Sequence, residues 1–312
     1  MPESSNPRLF GLIGHPVKHS LSSYMHNAAF KKIGLNAHYC LFDIEDSELE
    51  DFLLKPDKIF KDTEGNKIAA GKIGGFNVTI PHKVRAKEIL ENNFSSQTDL
   101  ANNYSNLVGA TNTVKRTASG FSWYNTDAPG FIQSLEEDLD FKAESEFSVL
   151  IIGCGGAGRA VISGLSSAYE NTNKTIYIYE INASAKDQAN KFYDKFPQVK
   201  KDLKFINKSD FSDTIKKCKL LVNASPLGMH AGDGSIVSKE QLSKDISVYD
   251  LVYNRQTQLI SDAKACGCRA SGGLNMLLFQ GVKALSHWLG QDIDSEVVAT
   301  MREVLIKKTK EL

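Results

Sequence analysis

Val149-Leu150-Ile151-Ile152-Gly153-Cys154-Gly155-Gly156-Ala157-Gly158-Arg159-Ala160-Val161-Ile162 is the stretch that decides the fold. Four consecutive apolar residues with no polar alternation predict a strand buried on both faces. They run straight into Gly-x-Gly-x-x-Gly, after which Val161, Ile162 and Leu165 share one helical face. Glycine has no Cβ, so it permits the tight turn, lets a pyrophosphate approach the backbone and lets helix pack closely on strand. The helix N-terminus then turns its free N–H groups and its dipole toward the phosphates. Strand, loop and helix in this order predict a dinucleotide or related adenosyl site on a doubly wound sheet.

Further strands follow at Thr175–Tyr179, Leu203–Ile206, Leu220–Asn223 and Val248–Leu251, with helical patterns between them, and Asp140–Ser148 reads as a polar connection into the first. Glu180 ends the second strand, about 20 residues beyond the glycine loop, where an acid meets the adenosine ribose. A carboxylate there accepts hydrogen bonds from both ribose hydroxyls and repels a 2′-phosphate. Ile181-Asn182-Ala183-Ser184 supplies no arginine to offset that repulsion, so NAD is favoured over NADP, which is not excluded. S-adenosylmethionine enzymes also use such an acid, so Glu180 does not fix the reaction.

Upstream, Arg8–Gly14, Ala37–Ile44, Ile73–Ile80, Thr113–Arg116 and Phe121–Tyr124 read as strands. Tyr24–Ile33 and Pro81–Asn92 read as helices, the latter with proline in its first turn. The whole chain is therefore expected to be α/β with largely parallel sheets. Leu274–Leu289 is apolar on two sides, which predicts a helix buried on both faces.

The 312 residues favour two domains, and 41% hydrophobic with 24% charged residues is a globular composition. Lysine plus arginine and aspartate plus glutamate are both 37, giving zero net charge. That balance provides no electrostatic footprint for nucleic acid or an anionic membrane. No apolar window reaches the ~18 residues of a membrane span, and the N-terminus carries no signal-peptide pattern. Five scattered cysteines without a Cys-x-x-Cys pair suit a reducing, cytoplasmic address. His15, His19 and His26 lack metal-binding spacing, so no metal is expected.

Polar residues also collect at predicted strand ends. Ser20 and Ser22 follow Gly14-His15-Pro16 and can present two hydroxyls to one carboxylate. Lys83 falls in the first turn of a helix, where a cation is disfavoured by ~0.3–1 kcal/mol, a reason to suspect a task. Asn125-Thr126-Asp127 ends a strand at a helix start. Taken singly, these are a surface lysine, an N-cap aspartate and turn-forming serines; their joint occurrence is harder to explain that way.

Together these motifs resemble the shikimate dehydrogenases, including the quinate/shikimate dehydrogenase branch. The resemblance covers essentially the whole chain through Gly14-His15-Pro16 with His19-Ser20-Leu21-Ser22, Asn77–Lys83, Gly109–Thr113, Asn125–Asp127, Gly153–Arg159, Asn223–Met229 and Gly273–Gln280. It implies a substrate domain over 1–127, a Rossmann-like NAD(P) domain over 128–273, and C-terminal helices over 274–312 that return to the first domain. By position, Lys83 and Asp127 would form the catalytic pair. Ser20 and Ser22 would hold the substrate carboxylate, while Thr79, Asn112, Tyr253 and Gln280 would orient ring hydroxyls. Gly153, Cys154, Gly155, Gly156, Ala157, Glu180, Asn223, Ala224, Ser225 and Gly273 would line the cofactor.

The implied reaction is reversible reduction of 3-dehydroshikimate to shikimate, with quinate as the alternative substrate of a catabolic enzyme and a monomer or homodimer as the assembly. Ser23 stands where the family often has proline, and Gly272 where an acid is common. Glu180-Ile181-Asn182 replaces the Asn-Arg-Thr type segment of NADP-dependent members, which strengthens the case for NAD. A methyltransferase or a non-catalytic nucleotide sensor are the rivals; the first leaves Lys83 and Asp127 unexplained, and the second leaves them without a task.

Overall fold

The computed structural model describes residues 6–95 and 104–311. Two units emerge among the described residues, one made of those up to 126 and of 280–311, the other of 127–279. The chain passes from the second back to the first within the helix Leu274–Leu289.

The first unit is built on a five-stranded sheet. Its strands are β1 (Arg8–Gly14), β2 (Ala37–Asp43), β5 (Ile73–Val78), β6 (Thr113–Thr117) and β7 (Gly120–Tyr124), in the order β2-β1-β5-β6-β7. β1 runs parallel to β2 and β5, whereas β5–β6 and β6–β7 are antiparallel, so this sheet is mixed. A small hairpin of β3 (Ile59–Lys61) and β4 (Lys67–Ala69) and the short helix Leu49–Leu54 also belong here, none of them expected from the sequence. One core cluster gathers Phe42, Phe52, Phe60, Phe76, Phe121 and Trp123. The helix Ser295–Thr309 packs on Ser22–Lys32, with Lys32 paired to Glu296 at 2.8 Å and the Lys308 ammonium over the Tyr24 ring.

Trp288 closes the other side of the sheet. Its indole N–H donates to the Val114 carbonyl at 2.9 Å, and its ring lies 5.2 Å from Phe10 and 5.3 Å from His26 between centroids. Gly75 makes the space, since a Cβ there would stand 2.5 Å from the indole. His26 is fully buried, stacks on Tyr39 at 4.5 Å and has no hydrogen-bond partner on either ring nitrogen.

The second unit is a six-stranded, wholly parallel sheet of β8 (Glu146–Ile152), β9 (Asn173–Tyr179), β10 (Leu203–Ile206), β11 (Leu220–Asn223), β12 (Ser247–Asp250) and β13 (Ala270–Gly272). Its order, β10-β9-β8-β11-β12-β13, is that of the doubly wound dinucleotide fold, with the chain reversing direction across the sheet between β8 and β11.

Three expectations are corrected. Pro81 is not in the helix: Thr79–His82 forms a turn, closed by His82 N–H donating to the Thr79 carbonyl, and the helix is Lys83–Asn93. Glu146–Ser148 is strand, because each residue pairs along β9 from Asn173 onward. β13 adds a sixth strand, three residues long and ending in glycine. No residue of the helix Leu274–Leu289 is exposed.

Two outcomes test these cores. Trp288→Ala should cost about 3–5 kcal/mol, read by urea denaturation. Burial lowers the His26 pKa from 6.5 to about 3. The unfolded chain therefore binds a proton that the folded chain refuses as pH falls from about 6.5 toward 3. Stability should fall by up to about 1.4 kcal/mol per pH unit from this group, and His26→Phe should flatten that slope.

Candidate functional site

In the first unit Ser20 and Ser22 follow the carboxyl end of β1, Thr79 and Lys83 that of β5, Asn112 precedes the amino end of β6, and Gln280 lies on the helix Leu274–Leu289. Gly14 ends β1, and a Cβ on it would lie 2.3 Å from the Thr79 methyl, so glycine is what lets Thr79 cross this strand end. Ser20 Oγ accepts from Ser22 N–H at 3.2 Å, which holds the Ser20 hydroxyl at the start of the helix Ser22–Lys32, and Ser22 is the first residue of that helix. Lys83 opens its helix, half-buried, and its carbonyl accepts from Thr111 N–H at 2.9 Å. That bond sets the lysine's helix beside the Thr111-Asn112 turn.

Asn112 is 2% exposed. Its Oδ1 accepts from Thr126 N–H at 2.7 Å, and its Nδ2 donates to Thr126 Oγ1 at 2.9 Å and to Gln280 Oε1 at 3.3 Å. Asp127 follows directly as the first residue of the helix Asp127–Leu139 and is itself buried. Ser20, Ser22, Thr79, Lys83, Asn112 and Gln280 thus belong to one unit, with Asp127 the next residue along the chain from its Thr126. Tyr253 lies in the second unit, just beyond β12.

Sequence reasoning missed the layer beneath. Tyr39 on β2 donates its hydroxyl to Asn77 Oδ1 at 2.8 Å, and Asn77 Nδ2 donates to the Asn112 carbonyl and to Thr113 Oγ1, both at 3.0 Å. Asn77 lay inside a quoted motif, whereas Tyr39 offered only an aromatic in an alternating strand.

In the second unit the glycine loop does what its composition requires. Gly153 has φ 92°, the left-handed region that favours glycine. A Cβ on Gly158 would stand 2.1 Å from the Gly153 carbonyl oxygen. Gly155 and Gly156 face open space, and the helix Gly156–Ala168 starts there, leaving room and donors for a pyrophosphate. Glu180 stands at the end of β9 and accepts from Cys154 N–H through one oxygen and from Asn182 N–H through the other, each at 2.9 Å. Each oxygen keeps lone-pair capacity for a ribose hydroxyl. Asn223 ends β11 and folds Ser225 back on itself: Ser225 N–H and Oγ both donate to Asn223 Oδ1. Ala224 supports Gly153, whose Cβ would lie 3.1 Å from it. Gly273 meets the Leu251 carbonyl, 2.2 Å from where its Cβ would be. These residues form a glycine-loop site of the kind that holds a dinucleotide.

Residues 12–114 match the family model described as the shikimate dehydrogenase substrate binding domain. A shikimate dehydrogenase (NADP(+)) of Methanopyrus kandleri is 34% identical over 302 residues, covering 95% of this chain and 94% of that protein. The chain belongs to the shikimate dehydrogenase family. Among solved structures of related dehydrogenases, Listeria monocytogenes shikimate 5-dehydrogenase in complex with shikimate and NAD is 26% identical, with a TM-score of 0.78 and 98% of each chain covered. Quinate dehydrogenase from Corynebacterium glutamicum in complex with NAD is 26% identical with a TM-score of 0.77, covering 97% of this chain and 99% of that one. Family members therefore include proteins named for NADP and proteins solved with NAD.

Among the described residues no group of three or more His, Cys, Asp or Glu side chains is placed to hold a metal ion, and no helix is long and apolar enough to cross a membrane. Burial, with the Glu180 charge behind it, pushes the Cys154 thiol up to about 12. Cys40 and Cys218 are likewise pushed up to about 12 by burial, while Cys266 alone among the five is not fully buried. Iodoacetamide near pH 8 should therefore label Cys266 first and leave Cys154 thiol-protonated and slow, as read by peptide mass spectrometry.

Proposed function

We propose that this family member reversibly reduces 3-dehydroshikimate to shikimate with NAD(H) as the preferred cofactor. The observation that carries the reaction is the convergence of Lys83 and Asp127 on one buried polar turn: Lys83 through its carbonyl on Thr111, Asp127 through its neighbour Thr126 on Asn112. The cofactor, when bound, supplies or accepts the hydride.

Everything else falls to the chain. Ser20 and Ser22 hold the substrate carboxylate with hydroxyl donors. Thr79, Asn112, Gln280 and Tyr253 orient the ring hydroxyls. The Lys83 ammonium places a proton and a positive charge beside the carbonyl oxygen as it becomes a hydroxyl, and takes the proton back in oxidation. Asp127 accepts from the substrate hydroxyl and keeps the lysine aligned.

The preference for NAD rests on Glu180. Its carboxylate is fixed by Cys154 N–H and Asn182 N–H at the edge of the glycine loop, where a 2′-phosphate would meet a like charge. Ile181-Asn182-Ala183-Ser184 brings no arginine to that spot. Quinate oxidation with NAD is the second reading, favoured by this same acid; a small-molecule substrate and a monomeric or dimeric cytoplasmic enzyme complete the proposal.

Initial rates with shikimate and quinate, each with NAD and NADP, test both halves. Fast NAD-linked oxidation of shikimate is the expected outcome, and a clear NADP preference would remove Glu180 from its role. Lys83→Ala should lower turnover by about 10²–10⁴-fold while NAD affinity, measured by calorimetry, stays within about twofold. An unchanged turnover number would overturn the assignment of Lys83.

A further inference from the structure

Asp250 is the last residue of β12 and its side chain is completely buried. Its carboxylate nevertheless gathers three donors from three segments. Asn223 Nδ2 donates to Oδ1 at 2.9 Å, Val252 N–H to the same oxygen at 3.1 Å, and Thr257 Oγ1 to Oδ2 at 2.6 Å. Burial pushes the carboxyl upward from its ordinary value, and these three donors pull it back.

Asn223 is the first residue of a loop whose shape it dictates. While Nδ2 is held by Asp250 and by the Leu227 carbonyl at 3.0 Å, Oδ1 receives Ser225 N–H and Oγ. Ser225 Oγ in turn accepts from Leu227 N–H at 3.3 Å. The far end of the loop is tied to the segment after β12, where Asn254 Nδ2 donates to the Met229 carbonyl at 3.2 Å and Arg255 to the His230 carbonyl. One carboxylate thus sets the orientation of Asn223–Leu227 and of the backbone that leads into Tyr253.

Dinucleotides cross a doubly wound sheet at the point where strand order reverses, one half on each side. Here the reversal lies between β8 and β11, and Glu180 marks the β9 side as the adenosine side. The β11–β12 side is left for the nicotinamide half. We propose that Asp250 is a positioning residue for the nicotinamide end of the cofactor, acting through Asn223 and the Ala224-Ser225 backbone. It rests on the dehydrogenase assignment above. The adenosine side has anchors of its own, Gly153 N–H on the Tyr179 carbonyl at 2.8 Å and Cys154 N–H on Glu180, so the two halves of the site are separable.

The test compares NAD with ADP-ribose, which lacks only the nicotinamide, by calorimetry on wild-type protein, Asp250→Ala and Asp250→Asn. Asp250→Ala should weaken NAD by at least about tenfold, the loss expected for removing hydrogen bonds to a charged group, and leave ADP-ribose within about twofold. Asp250→Asn keeps an oxygen for Asn223 and Val252 and should restore most of the NAD affinity. Should Asp250→Ala fail to fold, Thr257→Val removes one donor to the same carboxylate and should show a selective loss of about threefold. Equal weakening of both ligands, or of neither, would overturn the role of Asp250. Wild-type protein that binds neither ligand would overturn the assignment of NAD as the cofactor, and this role with it.

Discussion

Asn112 is buried at a strand end with a carboxamide that must be satisfied without water, and its partners are the segments that bear the site. A buried polar group left unpaired costs about 1–3 kcal/mol, so such a residue fixes whatever it bonds to. Thr126 and Gln280 are both held by this one side chain, and the Asn112 carbonyl is in turn held by Asn77. Asn223 plays the corresponding part in the second unit, with Ser225, Leu227 and Asp250 as its partners. In both units an asparagine near the end of a strand turns a requirement for hydrogen bonding into a defined loop.

The two units divide the chemistry in a way their sheets explain. The parallel sheet offers helix N-termini and free backbone donors at one edge, which suits phosphates, and glycine is demanded wherever backbone must approach backbone. The mixed sheet presents hydroxyls, amides and a lysine instead, which suits a small polyhydroxylated acid. Its antiparallel strands β6 and β7 let one hairpin deliver both Asn112, just before β6, and Thr126-Asp127, just after β7.

The parallel sheet was legible because its strands are buried on both faces and read as unbroken apolar runs, and the glycine loop because its requirements are local. β13 was not, since Ala270-Ser271-Gly272 has neither length nor apolar character and becomes a strand only by pairing with β12. The hairpin β3–β4 and the helix Leu49–Leu54 are likewise too short to carry a periodic signal. Pro81 was misread because a proline preceding a helix looks the same in sequence whether it lies in the first turn or in the turn before it. The buried supports of the site were invisible for another reason: Tyr39 finds Asn77 38 residues away and Asn223 finds Asp250 27 away, and no local pattern announces such partners.

The chain has two tryptophans, Trp123 and Trp288, both 2% exposed and both in the first unit. Indole emission is therefore a private channel of the mixed sheet, and the parallel sheet speaks only through its tyrosines. Light absorbed selectively by indole follows melting of one half of the protein, while far-ultraviolet dichroism follows both. A mismatch between those two curves would separate the unfolding of the two units without any label, mutation or cut in the chain.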